Sequence, residues 1–195
     1  APSSIVKSAV SQLTVHLDCT DEDQQSNKKL HGGPEKVLHQ FSPLHYFTLR
    51  KHFPDGEFEP GSIGENISVD GMDDATVYIG DVWKFGEVVL QVSAPRAPCS
   101  KISQRFNIKN LDRFVGERGI TGWYYRVLNT GVINVGDKVE LVRRESNTVN
   151  VQTLMHCTHI KTDTTLARKL SELEIIDEEW RLKCFKIANK GDHAG

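Results

Sequence analysis

The sequence predicts a mainly β fold with helices added (α+β), a small β-barrel over residues 1–146 followed by a three-helix domain over residues 147–195. Three observations carry that expectation. Many short runs alternate apolar and polar residues, as half-buried strands do. Two of them, Ile79-Gly80-Asp81-Val82 and Val135-Gly136-Asp137-Lys138-Val139, set a Gly-Asp turn before an alternating strand, a habit of small closed barrels. From about Thr148 the apolar spacing becomes helical, which puts the boundary near residues 145–148.

Residues 5–10 and 12–17 read as strands, and 19–29 as a polar loop. His31-Gly32-Gly33-Pro34-Glu35-Lys36 is a turn with wide backbone freedom that stiffens at proline. Ser42-Pro43 reads as an N-cap with proline at the first helical position. The helix it opens runs to about Phe53, with Leu44, Phe47 and Lys51 on neighbouring turns, and Pro54 ends it. Residues 61–69 pass from glycines into a short strand, and 76–85 with 87–92 form a hairpin about Gly86. After Cys99 the chain turns helical. Leu111, Phe114 and Val115 lie at i, i+3, i+4, closed by Gly116 and Gly119. Residues 122–128 and 132–142 return to strand. A stretch near 151–155, a segment capped by Asp163 (Leu166, Leu170, Leu173) and one capped by Asp177 (Trp180, Cys184, Ile187) make the three terminal helices. They are too short to fold alone, so they pack on the barrel or on a second subunit, and a homodimer is a plausible partner arrangement.

Composition narrows the function. With 38% hydrophobic and 26% charged residues the chain is that of an ordinary globular protein. No apolar run is long enough to span a membrane. A formal charge of −2 without a Lys/Arg run lacks the footprint of a nucleic-acid binder. The start of the chain has neither the basic residues nor the apolar stretch of a signal peptide. Cys19, Cys99, Cys157 and Cys184 are far apart, which fits neither a disulfide framework nor a structural zinc pattern, so a reducing cytoplasm is expected.

One of these cysteines stands out. The strand of Val88, Leu90 and Val92 runs into Ser93-Ala94-Pro95-Arg96-Ala97-Pro98-Cys99, where two prolines fix the backbone ahead of the thiol. A guanidinium three residues earlier favours thiolate, the form that attacks or binds metal. The alternative is an ordinary buried cysteine.

Five motifs occur in order: His31-Gly32-Gly33-Pro34-Glu35-Lys36; Gly64-Glu65-Asn66; Ile79-Gly80-Asp81; Gln91-Val92-Ser93 through Pro95-Arg96 to Pro98-Cys99; and Gly122-Trp123-Tyr124. Together they resemble the MOSC family, named after the C-terminal domain of molybdenum-cofactor sulfurase, and within it the bacterial members that add a small three-helix domain. The resemblance spans about residues 4–189. It implies a β-barrel-rich fold that binds the molybdenum cofactor, a pterin dithiolene with a terminal phosphate. It also implies reduction of N-hydroxylated compounds, such as N-hydroxylated purine bases and amidoxime-like substrates, in detoxification, with electrons from a redox partner. Carried onto this chain, the family cysteine is Cys99, ligating molybdenum.

The residues suit those roles, each beside a plainer one. Gly32 and Gly33 allow close backbone approach to an anion, or simply a tight turn. Lys36 offers a point charge for phosphate, or is a solvated lysine; Arg96 suits a fork onto phosphate or a pterin carbonyl. Asn66 has the donor and acceptor a pterin edge requires. His31 has the pKa of a proton donor at neutral pH, or is bonded within its turn. Trp123 and Tyr124 stack on a flat substrate or fill the core, and at least one is core because strand neighbours face opposite sides. Where the family carries a glycine ahead of the His-Gly-Gly turn, this chain has Glu22, followed by Asp23. His156-Cys157-Thr158-His159 groups three donors, but adjacent helical side chains diverge and a fourth ligand is missing, so helix-face residues are preferred to zinc. Two other uses of Cys99 stay open: a non-redox carrier of the cofactor, and a persulfide sulfur carrier.

Overall fold

The computed structural model describes residues 7–22 and 33–190. Five strands form one antiparallel sheet: β2 (Leu38–Gln40), β3 (Val82–Phe85), β4 (Val88–Pro95), β5 (Trp123–Asn129) and β7 (Val139–Arg143), in the order β2-β5-β4-β3-β7. β1 (Gln12–Val15) and β6 (Gly131–Asn134) pair apart from it as a two-stranded ribbon. The mixed α+β class holds, and the 87–92 hairpin arm is β4, turned at Gly86 as read. The closed barrel is corrected: among the described residues no ladder joins the edges β2 and β7. The expected strand over 61–69 yields a single parallel bridge, Gln40 to Ile67. Gly61 and Gly64 there sit at φ +86° and +87°, which breaks the extended run a ladder needs. Of the first expected strand, residues 7–10 are not extended into a sheet, and β2 itself gave no alternating signal because residues 37–41 are all buried.

Among the described residues six helices follow the caps. α1 (Pro43–His52) begins after Ser42 as read, but its buried face is His45, Tyr46 and Leu49, while Leu44 and Phe47 are exposed. The polar pair is tolerated inside because each ring has a partner: His45 Nε2 lies 2.7 Å from Asp74, and the Tyr46 hydroxyl donates to Glu65 at 2.7 Å. α2 (Ser100–Phe106) starts directly after Cys99, and α3 (Leu111–Arg118) closes on Gly119 in the left-handed region. Together α1, α2 and α3 enclose one buried cluster, which includes Leu49, Phe58, Ile102, Leu111 and Val115.

α4 (Val151–Ile160), α5 (Thr164–Ser171) and α6 (Glu178–Lys190) are capped by Asn150, Asp163 and Asp177, whose carboxamide or carboxylate oxygens accept from Thr153, Leu166 and Glu179 backbone N–H at 2.7–2.8 Å. Their apolar faces enter the same cluster as the sheet: Leu154, Leu170, Trp180 and Ile187 lie with Leu90, Val92, Trp123 and Tyr125. Each such buried side chain contributes about 1.5–3 kcal/mol, which is how helices of eight to thirteen residues persist. Among the described residues no helix is long and apolar enough to cross a membrane.

The turn that ends the His-Gly-Gly motif is fastened on three sides. Arg126 Nε donates to the Glu35 carboxylate at 2.9 Å. The Ser93 hydroxyl donates to the Glu35 carbonyl. The Lys36 ammonium pairs with Glu179 on α6, which also holds Lys183 at 2.8 Å. Burial alone would lower the Lys36 ammonium, but the Glu179 hydrogen bond and the charges of Asp177 and Glu179 hold it above its usual value. For Glu179, burial works upward, and the bonds from Lys183 and Lys36 outweigh it and bring the carboxyl to about 2.

That pairing makes a pH prediction. A carboxyl depressed in the folded state binds fewer protons there than in the unfolded chain, so its stabilisation is full above the unfolded value of 4.5 and is lost as pH falls toward about 2. Glu179→Gln therefore lowers the melting temperature at pH 7, and the gap between variant and native protein closes across that window in thermal melts run from pH 7 to pH 2.

Candidate functional site

β4 delivers the motif loop. Its ladder with β5 slips at Ser93, so that Val92 faces Tyr125 and Ala94 already faces Tyr124. Such a slip re-aims the strand end, here toward the turn of residues 33–36 through the Ser93 hydroxyl. Beyond Pro95, the Arg96 N–H donates to the Gly122 carbonyl at 3.0 Å. Pro98 packs against Gly116 of α3, beside His159 of α4: a Cβ at Gly116 would meet both at 3.0 Å. Cys99 follows, half-buried, a free thiol in extended conformation (φ −124°, ψ 139°). Its carbonyl accepts the Ile102 N–H at 2.9 Å and so starts α2. The two prolines thus set Cys99 between a strand end and a helix start.

Next to this loop lies a histidine that the sequence reading passed over. His39 of β2 is 3% exposed and sits opposite Tyr124 in the ladder, with ring centroids 5.5 Å apart. Neither ring nitrogen has a well-formed hydrogen bond, although the carbonyls of Gly64 and Thr121 lie alongside. Burial, then the charges of Arg96 and Lys7, hold the imidazole well below its ordinary range, so it is neutral at pH 7. Its Nε2 would be 2.7 Å from a Cβ at Gly122, whose φ is +76°. Gly122 is therefore required both by its conformation and by the room His39 needs. The guanidinium of Arg96 takes no part in a hydrogen bond or ion pair among the described residues.

The other expected site residues separate. Asn66 is beside His39: its Oδ1 accepts the His39 N–H at 2.9 Å and its own N–H donates to the His39 carbonyl at 2.7 Å. Gly33 has open space where a side chain would stand, at φ +97°. Lys36 is turned to Glu179 rather than left to solvent. His31, Gly32 and Asp23 lie outside the described residues. Of the two aromatics, Trp123 is core, fully buried 6.4 Å from Tyr125, and Tyr124 faces His39. Glu22 accepts from the Thr14 N–H and hydroxyl at 2.9–3.1 Å and ties its loop to β1.

Much of the motif set is framework. Asp81 is fully buried and takes both arms of the Arg144 guanidinium, at 2.8 and 2.7 Å. Glu65, 5% exposed, accepts from the Tyr46 hydroxyl and the Gly61 N–H. Burial and the Glu65 charge push the Tyr46 phenol well up, so it stays a donor. Asp74, unread in the sequence, accepts the Thr121 and Gly122 N–H groups at 3.1 and 2.9 Å and so fixes the carbonyl that holds Arg96.

The four-residue run on α4 divides as its helical spacing dictates. His156 and His159 face the glycines of α3, while Cys157 points inward to Cys184 of α6. Their shared hydrogen bond and burial push the Cys184 thiol up. No group of three or more His, Cys, Asp and Glu able to hold a metal ion occurs among the described residues.

This arrangement has known relatives. The family model described as MOSC domain matches residues 27–140. Protein YiiM of Escherichia coli is 31% identical over 182 residues, covering 92% of this chain and 81% of that protein. The crystal structure of E. coli YiiM superposes with a TM-score of 0.81 at 28% identity, over 92% of this chain and 86% of that one. A protein of Gibberella moniliformis named Reductase is 37% identical over 136 residues, which are 67% of this chain and 24% of the fungal protein.

Two substitutions probe the corner. Gly122→Ala forces a left-handed alanine whose Cβ meets the Gln40 carbonyl at 2.3 Å. It is expected to destabilise by roughly 2–4 kcal/mol in denaturant unfolding. His39→Leu removes two buried ring nitrogens that have no well-formed hydrogen bond among the described residues, a liability of about 1–3 kcal/mol. The variant is expected to be at least as stable as the native chain in the same assay; a clear loss of stability would make His39 a structural residue.

Proposed function

Because the chain belongs to the MOSC domain family, we propose that it is a cytoplasmic molybdenum-cofactor oxidoreductase that reduces N-hydroxylated compounds, N-hydroxylated purine bases and amidoxime-like molecules among them. The observation that carries the reading is one corner of the molecule. A free, half-buried thiol at Cys99 follows an Arg96 guanidinium uncommitted among the described residues, beside a buried imidazole whose nitrogens have no well-formed hydrogen bond there. An anionic, heteroatom-rich cofactor fits that corner, because it offers acceptors to Arg96 and partners to His39. A soft thiolate is also a suitable ligand for a redox metal.

In this reading Cys99 is the metal ligand, and its place between Pro98 and α2 keeps it from swinging away. Arg96 would fork onto the phosphate or a pterin carbonyl, and Gly33, with open space beside it, would let the backbone approach the anion as proposed for Gly32 and Gly33 together. Asn66 has its acceptor on His39, so its contribution is to hold that strand. Lys36 reaches an anion only by leaving Glu179; paired, it keeps the turn in place. When bound, the cofactor supplies a metal centre that takes up and passes on electrons. Converting N–OH to N–H with release of water consumes two electrons and two protons. His31 is the proposed donor of protons, since His39 is neutral and enclosed. Tyr124 offers a flat ring to a planar substrate.

The electrons come from a redox partner outside these 195 residues.

The test is molybdenum and pterin per chain in protein made by a cofactor-competent host, with Cys99→Ser made identically. Molybdenum is expected near one per chain in the native protein and lower by about tenfold or more in the variant. Loss of N-hydroxylated-substrate reduction should accompany it while the thermal melt is unchanged. Pterin in both proteins with metal in neither would favour the carrier reading, and full activity in Cys99→Ser would refute the metal ligand.

A further inference from the structure

A second concavity lies away from Cys99 and Arg96, neither of which lines it: a cleft of about 790 Å³ between the β1–β6 ribbon and the segment of residues 60–70. Its walls are apolar, with Leu13, Val69, Phe85, Ile133 and Val139 among them. Its charged groups are one-sided. Among the described lining residues, Glu22, Glu65, Asp70 and Asp137 set four carboxylates against the one ammonium of Lys7, a formal charge of −3. Three of the carboxylates are fixed by hydrogen bonds they accept, Glu22 from Thr14, Glu65 from Tyr46 and Gly61, and Asp137 from the Asn134 N–H. Asp70 is exposed and takes part in no such bond among the described residues.

Size, apolar walls and charge together select the ligand. A cleft of this volume suits a small organic molecule. Low-dielectric walls focus the field of the carboxylates, so a cation is attracted and an anion repelled. A bare metal ion is the wrong guest, since the carboxylates do not converge into a ligand group and apolar walls offer it nothing. We infer that this cleft is a binding site for a flat organic cation, an aryl amidinium or a protonated amino-heterocycle. The ring lies against Val69 and Ile133, and the charged end meets Asp70, with the charges of the other carboxylates adding to the attraction.

The site is independent of the proposed reductase chemistry, because binding is read on the cofactor-free chain without turnover. The probes are benzamidine, benzamide and benzoate, which share a shape and differ in charge. Backbone NMR titration of the isotope-labelled chain is expected to show benzamidine shifting residues 67–70, Phe85 and Ile133, at least tenfold tighter than benzoate, with benzamide between. Added salt should weaken benzamidine and not benzamide. Asp70→Asn should weaken benzamidine about threefold, and Ser68→Trp, which places a large ring at the cleft wall from an exposed position, should abolish it. Equal binding of benzoate and benzamidine, or benzamidine shifts confined to the Arg96 region, would overturn the assignment. So would undiminished binding in a folded Ser68→Trp.

Discussion

A single guanidinium, that of Arg126, joins the three parts on which the site depends. From the middle of β5 its Nε reaches the Glu35 carboxylate at 2.9 Å, its Nη1 the Gln91 side chain of β4 at 2.9 Å, and its Nη2 the Ile175 carbonyl at 3.0 Å ahead of α6. Turn, sheet and C-terminal segment are thereby held to one planar group with fixed donor directions, a task for which a lysine has no equivalent geometry. The Arg126 side chain is 16% exposed and that of Glu35 44%, so solvent weakens the ion pair while the bonds to Gln91 and Ile175 are better shielded. The Ser93 bond to the Glu35 carbonyl and the Lys36–Glu179 pair act on the same turn. The C-terminal helices are thus part of the site's support as well as a cover for the sheet.

This bracing also decides where positive charge is available. Lys36 is neutralised by Glu179, whereas Arg96 has no counter-charge among the described residues and Lys7 is near enough to lower the His39 imidazole. In the proposed reading the attraction for an anion therefore rests first on Arg96. The described charges of the neighbouring cleft have the reverse sign, and Lys7 and Asn66 stand at the junction, since both line the cleft and both act on His39.

What could be read in the sequence was what depends on neighbours along the chain. Ser42-Pro43, Asp163 and Asp177 announce helix starts by local chemistry, and the Pro95–Cys99 loop by its two prolines. What could not be read depends on partners far away. The inward face of α1 is set by Asp74 and Glu65, 29 and 19 residues from the rings they hold, so apolar spacing named the wrong face. α2 is a seven-residue helix with one buried residue, too short to show a period. β2 is buried on both sides and does not alternate; its signal was a His-Gln pair inside an apolar run, and that pair contains His39. The barrel was inferred from Gly-Asp turns, which in fact serve local ends: Asp81 is a counter-ion for Arg144, and Asp137 caps the turn after β6.

The motif residues therefore divide by function in a way their spacing does not reveal. Glu35, Glu65, Asp81 and Ser93 have their polar atoms satisfied within the protein, and each fastens one segment to another. Such a residue has few hydrogen-bond sites left for a ligand, although a carboxylate still contributes its charge. Cys99, Arg96 and His39 are the opposite: an unbridged thiol, an uncommitted cation, and an imidazole enclosed without a proper partner. His39 is not alone in this, since ring nitrogens of Trp83, Trp123 and His156 are also buried without a hydrogen bond among the described residues; its place sets it apart. The unsatisfied group lies where the satisfied ones converge: Asp74 holds Gly122, Gly122 holds Arg96 and makes room for His39, and Asn66 holds the His39 backbone. Rigid support around incomplete bonding is the arrangement a bound group would complete.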